Sequence, residues 1–328
     1  MEQEPQGKLV STWEMLYKDD EGEGHVVPLH KYDYTQEAEF DPSVLIQQAP
    51  AMRITPSKRK RGEIDWLDSV ACVGDIHFPF QNQRRLDLAM TAVKVLQPTQ
   101  IHLMGDNLDN PNYSRFETRQ EWANSTQEGI DQYAEFLGQI RSDHPDARIV
   151  WHEGNHDLRI EKRIREFNED ILGIKPAGSD REALALDNLL PLEELDVEFS
   201  KGYPSALESV RGQLDLYHGH VTSGTGLACQ KVIQQAFRSF TTGHTHQLGV
   251  VSKTFYIGKE EHTIYGAEAG TYADPDKTPS GKYAPNTTSK HNWQSGVINW
   301  LVDDEMAVPE MFPIDNNGIT VRGKYYRS

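Results

Sequence analysis

Cysteine is nearly absent: the 328 residues contain two, Cys72 and Cys229, far apart and without C-x-x-C spacing. That excludes a disulfide framework and a thiolate zinc site, and leaves two thiols expected in the interior. No apolar run approaches the length of about eighteen residues that a bilayer span needs. The opening Met1-Glu2-Gln3-Glu4-Pro5 has neither the basic start nor the apolar stretch of a secretory signal. A cytoplasmic protein with no membrane partner is expected. Basic residues are also short, 33 against 50 acidic, for a formal charge of -17. A surface built over its whole extent to embrace nucleic acid is therefore excluded. A local anion site is not, because carboxylates that hold divalent cations present positive charge where an anionic substrate arrives. No internal repeat or low-complexity tract is present.

What is there divides at about residue 62. Residues 1–62 carry an acidic stretch (Asp19-Asp20-Glu21), few periodic apolar positions and a basic cluster Lys58-Arg59-Lys60-Arg61, and read as an N-terminal arm or linker. Its basic cluster is expected to be solvated linker rather than a nucleic-acid contact. Residues 63–328 read as one domain. Short β-rich runs, Val70–Val73, Ile101–Met104 and Arg148–Trp151, alternate with amphipathic helical stretches near Arg84–Leu96 and Thr126–Arg141, which predicts an α/β core. Leu214–Tyr217 and Ser239–Thr242 are two further strand candidates. Residues 172–212 are irregular, with Pro176, Pro191 and Pro204, and read as an insertion or partial lid. After residue 246, β-rich runs at 250–257, 296–301 and 318–321 are expected to complete a second sheet packed on the first.

A polar cluster follows each of the five strands before residue 247. In order they are Asp75-Ile76-His77, Gly105-Asp106-Asn107-Leu108-Asp109, Gly154-Asn155-His156-Asp157, His218-Gly219-His220 and Gly243-His244-Thr245-His246. Ligands in open α/β sheets bind outside the carboxyl ends of strands, so the clusters can converge on one crevice. In an extended backbone alternate side chains share a face, so Asp75 with His77, and His244 with His246, are each expected to point one way. Carboxylate, amide and imidazole donors without thiolate suit manganese, iron or zinc better than calcium or copper(I). A single histidine in a loop is ordinarily satisfied by hydrogen bonds, and His102 and His152, which lack a motif partner, are read as core histidines. The tryptophans, among them Trp122, Trp293 and Trp300, are read as packing residues.

The five clusters in this order resemble the calcineurin-like metallophosphoesterases, whose pattern is D-x-H, G-D-x-x-D, G-N-H-D/E, a lone H, and G-H-x-H. Each element alone is weak; together they span Asp75 to His246, roughly half of the chain. The resemblance implies a four-layer αββα sandwich of two mixed β-sheets flanked by helices. It implies two divalent transition-metal ions, manganese first and iron or zinc after it, one held by Asp75, His77, Asp106 and His246 and the other by Asp106, Asn155, His218 and His244. His156 would be the catalytic histidine, stabilising the phosphoryl charge or protonating the leaving oxygen. Asp109, Asp157 and His220 would act from behind, orienting ligands or substrate, with Asp109 as a solvated aspartate and His220 as the ligand in place of His218 left as alternatives.

The implied reaction is in-line attack on phosphorus by a metal-bridging hydroxide. Departures from the protein-phosphatase signature are informative: Asn110-Pro111 follows Asp109 where that branch has Arg-Gly, and Asp157 stands in place of Glu. The forms present are more similar to bacterial and bacteriophage phosphodiesterases and repair nucleases. A phosphodiester is therefore the expected substrate, with nucleic acid among the candidates; a nucleotide or phosphoprotein monoesterase is the alternative, and a non-catalytic scaffold the second. Tyr113, Arg115, Phe116, Arg119, Arg159 and Arg163 lie near the motif loops and are candidates for phosphate contact. Arg159 and Arg163 are as well explained by pairing with Glu161, Glu166 or solvent.

Overall fold

The computed structural model describes residues 8–18, 24–33, 68–114, 120–223, 226–279 and 292–327, in two units, residues 1–53 and 54–328. In the first unit β1 (Lys8–Lys18) and β2 (Gly24–Asp33) pair antiparallel as a hairpin, with a register shift between Leu9 and Ser11. The acidic stretch 19–21 and the basic cluster 58–61 lie outside the described residues.

In the second unit, β3 (Asp68–Val73), β4 (Gln100–Leu103), β5 (Arg148–His152) and β6 (Val197–Ser200) run parallel. The connections carry α1 (Gln83–Leu96), α2 (Ser125–Asp143), α3 (Arg159–Phe167), α4 (Glu169–Leu172) and α5 (Leu186–Leu189). The long helices follow from their sequences. In α1, Leu86, Ala89, Val93 and Leu96 recur at helical spacing and are buried. Its start is capped by the Asn82 side chain, which accepts from the Arg85 N–H at 3.2 Å, and it stops at Gln97, whose φ of 48° is left-handed. The buried stripe of α2 is Ile130, Tyr133, Leu137 and Ile140. Both helices lie on one face of the parallel strands, against Ala71, Val73, Ile101, Leu103, Ile149 and Trp151.

The alternate residues of the same strands face the other way. Val70, Cys72 and Met104 join Leu214, Leu216, Ala267, Ala269, Ile298 and Trp300 in a second core, which lies between two sheets because successive strand side chains point to opposite faces. The second sheet has the order β10 (Leu248–Ile257), β11 (Glu260–Ala269), β9 (Ser239–Thr242), β8 (Leu214–Leu216), β7 (Glu208–Val210). Its outer face carries a short helix, α6 (Cys229–Val232), whose Cys229 packs with Ile233, Phe240 and Ile264. The layers are thus helices, sheet, sheet, helix, and both sheets are mixed, as expected. Both cysteines are buried.

One expectation needs correction. The β-rich runs after residue 246 do not all build the second sheet. Residues 248–257 do, but β12 (Ser295–Val302) pairs antiparallel with β3, and β13 (Ala307–Ile314), β14 (Ile319–Val321) and β15 (Lys324–Tyr326) extend the first sheet to eight strands. The nearly unbroken burial of β12 is that of a strand covered on both faces; its sequence shows the burial but not the partner. Residues 172–212 supply α5, β6 and β7, an edge strand to each sheet. Among the described residues no helix is long and apolar enough to cross a membrane.

Candidate metal centre

The five polar clusters sit where β3, β4, β5, β8 and β9 end, so three come from the first sheet and two from the second. Backbone hydrogen bonds lace their loops together: the Asp75 N–H donates to the Gly105 carbonyl at 2.9 Å, His77 to Asp106 at 3.0 Å and Gly243 to His218 at 2.8 Å. Two glycines permit the close approach. A Cβ on Gly154 would lie 2.2 Å from the Asp106 N and Oδ1, and one on Gly243 would lie 2.5 Å from the Asp75 Oδ2.

The loops are not extended. Asp75, His77, Asp106, His244 and His246 all have φ between 50° and 74°, the left-handed region that non-glycine residues adopt at a cost of roughly 1–3 kcal/mol each. The expectation that an extended backbone aligns Asp75 with His77 is therefore wrong in its reason. Tight left-handed turns aim these side chains, and strain of this kind persists only where surrounding structure over-determines it.

Three overlapping groups result. In each, one potential ligand atom per residue lies within 4.8 Å of the others: Asp75, His77 and His246; His77, Asp106 and His156; and Asp106, His218 and His244. The His77 Nε2 and His246 Nε2 are 3.1 Å apart, and the latter is 3.4 Å from the Asp75 Oδ1. The His218 Nε2 is 3.3 Å from the Asp106 Oδ2. The Asn155 Oδ1 is 2.7 Å from the His244 Nδ1 and 3.3 Å from the His218 Nε2. Asp106 therefore stands between the two outer groups, and all seven expected ligands converge.

The donor chemistry fits a pair of cations. His218 donates from Nδ1 to the Met104 carbonyl at 2.7 Å, and the His77 Nδ1 faces the Asp109 carboxylate at 3.0 Å. Each ring is thereby held with a bare Nε2 turned into the cluster, the tautomer that a metal-ligating histidine needs. The His77 Nε2 lies 3.1 Å from the His246 Nε2 beside the Asp75 carboxylate, a spacing that a proton on His246 satisfies and that a cation held among the three would satisfy in its place. Oxygen and imidazole donors without sulfur are those of divalent transition metals.

Charge pairing shows in the titration of these groups. Burial opposes protonation of His218, but the adjacent Asp106 carboxylate prevails and pushes it up to about 10. His77 is raised for the same reason, with Asp109 outweighing burial. Asp106 is held well below the carboxylate range, against burial, by His218 and His156. A divalent cation held among these groups would take the place of those protons. His156 and His244 are lowered, first by burial.

Behind the cluster stand two buried carboxylates. The Asp109 Oδ1 lies 3.0 Å from the His77 Nδ1 and 2.7 Å from the His156 Nδ1, and Asp109 is wholly buried, not a solvated aspartate. Asp157 accepts from the backbone N–H groups of Asp106 (2.9 Å), Leu108 (3.0 Å) and Gly154 (2.8 Å), joining the loops after β4 and β5. Burial and the Asp106 charge raise its carboxyl to about 7. His220, two residues beyond His218, is exposed and lines a cavity on the outer face of the second sheet.

Two neighbours of the cluster, Arg159 and Trp293, stand closer to its histidines than their sequence positions indicated. The Arg159 Nη2 donates to the His156 Nε2 at 2.8 Å and its Nη1 to the Asp109 carbonyl at 2.7 Å, rather than pairing with Glu161 or Glu166. The available signal was its place three residues after His156, on the first turn of α3. Arg163 does pair with Glu166, at 3.4 Å. Trp293, read as packing, sets its ring 4.3 Å from that of His246. Asn110, by contrast, ties the loop by donating to the His156 carbonyl at 3.2 Å. Tyr113 packs on the first core; Arg115, Phe116 and Arg119 lie outside the described residues.

Comparison with known proteins finds relatives in bacteriophages. The chain is 24% identical over 269 residues to the Gene 54 protein of Mycobacterium phage L5, covering 78% of this chain and 98% of that protein. It is 25% identical over 266 residues to the Gene 54 protein of Mycobacterium phage D29, covering 77% and 96%. No family model matches. Similar solved structures include vacuolar protein sorting 29 from Cryptosporidium parvum, at 12% identity and a TM-score of 0.37 over 80% of this chain and 100% of that one. Another is YfcE, a phosphoesterase from E. coli, at 13% identity and a TM-score of 0.32 over 74% of this chain and 98% of that one.

Proposed function

We propose that this chain hydrolyses phosphate esters with two divalent transition-metal ions, and that its substrate is a phosphodiester. The observation that carries the reading is the position of Asp106: one carboxylate, buried to 1% exposure, within ligand distance of histidines from both sheets. Asp75, His77 and His246 would complete one metal site with it, and Asn155, His218 and His244 the other. When bound, the cations, manganese first among the candidates that the motif resemblance implies, would supply Lewis-acid polarisation of the phosphoryl group and an activated water.

The chain's own residues do the rest. Asp109 holds His77 and His156 by their Nδ1 atoms, so that the His156 Nε2 is the atom free to meet substrate. That atom accepts from Arg159. His156, neutral at rest, acts as an acid by first taking a proton from solvent at Nε2 and then delivering it to the departing oxygen, a transfer favoured by the proton affinity that burial lowers, while Arg159 turns its guanidinium from that nitrogen to a nonbridging phosphate oxygen. Asp157 keeps the loops after β4 and β5 in register and so fixes Asp106 relative to Asn155. The diester preference rests on the motif forms, with Asn110-Pro111 after Asp109 and Asp157 after His156.

The test is turnover by the manganese-loaded protein on bis-p-nitrophenyl phosphate, p-nitrophenyl phosphate and single- and double-stranded DNA. Hydrolysis of the diesters is expected; hydrolysis of the monoester alone overturns the diester preference. In the same assay His156→Ala is expected to lose about a hundred- to ten-thousand-fold in kcat with its metal retained. A scaffold would show no turnover in the unaltered protein.

A further inference from the structure

A cavity of about 740 Å³ lies on the outer face of the second sheet, between β8, β9 and α6, within the size range of small-molecule sites. Its position follows from strand alternation: Leu214 and Leu216 fill the core between the sheets, so Asp215 and Tyr217 face outward and line the cavity. On the neighbouring strand Phe240 does the same, its ring centroid 6.3 Å from that of Tyr217 with the planes 29° apart. Tyr217, half-buried, is the accessible ring of this aromatic floor, and Phe240, 2% exposed, backs it from the core.

The rest of the lining is largely apolar, with Leu207, Val221, Val232 and Phe237, but it carries three basic side chains in a chain of charge -17. His220, Lys231 and Arg238 border the cavity. Against them stands Asp215, already 3.8 Å from Arg238. The Lys231 Nζ donates once, to the Thr222 carbonyl at 2.8 Å, which leaves further donors of its ammonium to a ligand. Burial, and after it the charge of Asp215, pushes the Tyr217 phenol up to about 12, so the floor brings no negative charge of its own.

The end of the cavity is formed by Gly219 and Gly243, which follow His218 and precede His244. A Cβ on Gly243 would lie 2.5 Å from the Asp75 Oδ2. One thickness of backbone thus separates the cavity from the candidate metal centre, and the two share a rim.

We propose that this cavity binds a nucleotide unit, its base stacked on Tyr217 and its phosphate met by Lys231, whose Nζ lies at Thr222, and by nearby His220. An aromatic platform bordered by cations is how single strands are held without regard to sequence. The proposal rests on the hydrolase reading in one respect: the phosphate at the metal centre would be the next one along the strand. It accounts for His220, which the metal centre does not use.

The experiment titrates chelator-treated, full-length protein with the 5′-monophosphates of adenosine, guanosine, cytidine and thymidine, and with ribose 5-phosphate, by calorimetry. All four nucleotides are expected to bind saturably with affinities within about tenfold of one another, and ribose 5-phosphate at least about fivefold more weakly, since a stacked base adds that much or more. Lys231→Glu, at an exposed position, is expected to weaken binding at least about fivefold, and Tyr217→Ala likewise, whereas Asp106→Asn keeps it. Absence of saturable binding overturns the proposal. So does equal affinity for ribose 5-phosphate, or loss of binding in Asp106→Asn with Lys231→Glu unaffected, which would put the nucleotide in the metal centre. Turnover is measured separately: an inactive protein that binds nucleotides through Lys231 keeps the cavity and ends the hydrolase reading, and an active one that binds none ends the cavity alone.

Discussion

Two groups of buried histidines lie close together in this molecule and live in opposite surroundings. His77, His218 and His246 face the carboxylates of Asp75, Asp106 and Asp109. His102 and His152, on adjacent strands β4 and β5, face each other at 2.9 Å, their rings stacked. At 0% and 1% exposure they are as buried as any candidate ligand histidine, but the charges that act on them are cationic, Arg148 on both and His218 on His152. Burial, then neighbouring cations, drive both toward the neutral form, His102 well below its ordinary value and His152 to about 3. The His152 Nδ1 has no hydrogen-bond partner. What separates the candidate ligand histidines from this pair is thus the facing carboxylates and not depth.

The sharpest way to break this contrast is to remove the shared carboxylate. Asp106→Ala is expected to release both metals and lower turnover by at least about a thousandfold, whereas His102→Gln leaves metal content unchanged; elemental analysis beside the diesterase assay reads both. Metal lost from His102→Gln would erase the distinction. Asp157→Ala strands three backbone N–H groups in the interior and is expected to cost about 3 kcal/mol or more in urea unfolding.

Smaller effects sharpen it further. Asp109→Asn keeps the shape but weakens the hold on the His77 and His156 Nδ1 atoms. It is expected to reduce metal affinity or kcat by about ten- to a hundredfold, and full activity would show that the rings need no orienting carboxylate. An effect on stability rather than on turnover belongs to the neutral pair. A histidine whose folded pKa is depressed contributes stability fully present above the unfolded value near 6.5 and lost as pH falls toward the folded one. Each imidazole of the pair is thus expected to lower stability by about 1.4 kcal/mol per pH unit below about 6. The difference in urea midpoint between pH 7 and pH 5 should shrink in the His102→Gln/His152→Gln protein; an unchanged difference would mean the pair does not titrate on unfolding.

Much of this was legible in the chain. The strands β3, β4, β5, β8 and β9 and the helices α1 and α2 appear where periodicity put them, because each buries one face and repeats its apolar residues at the period of its geometry. The order of Asp75, Asp106, Asn155, His218 and His244 at strand ends was readable for the same reason. Arg159 was legible only as one of several candidates for phosphate contact: its charge suits a surface partner equally well, and only the folded loop after β5 brings it onto His156.

By itself, then, the sequence determined the local elements, the two-faced burial of the parallel strands and the chemistry of the donor set, all of which depend on residues near one another in the chain. Only the tertiary structure decided that β12 joins β3 rather than the second sheet, that left-handed turns rather than extended loops aim Asp75, His77 and Asp106, and that Tyr217, Phe240 and Lys231 enclose one space. Those outcomes depend on which faces pack together across long separations. Strand pairing is set by the total apolar surface buried, and a residue's own neighbours carry no record of it.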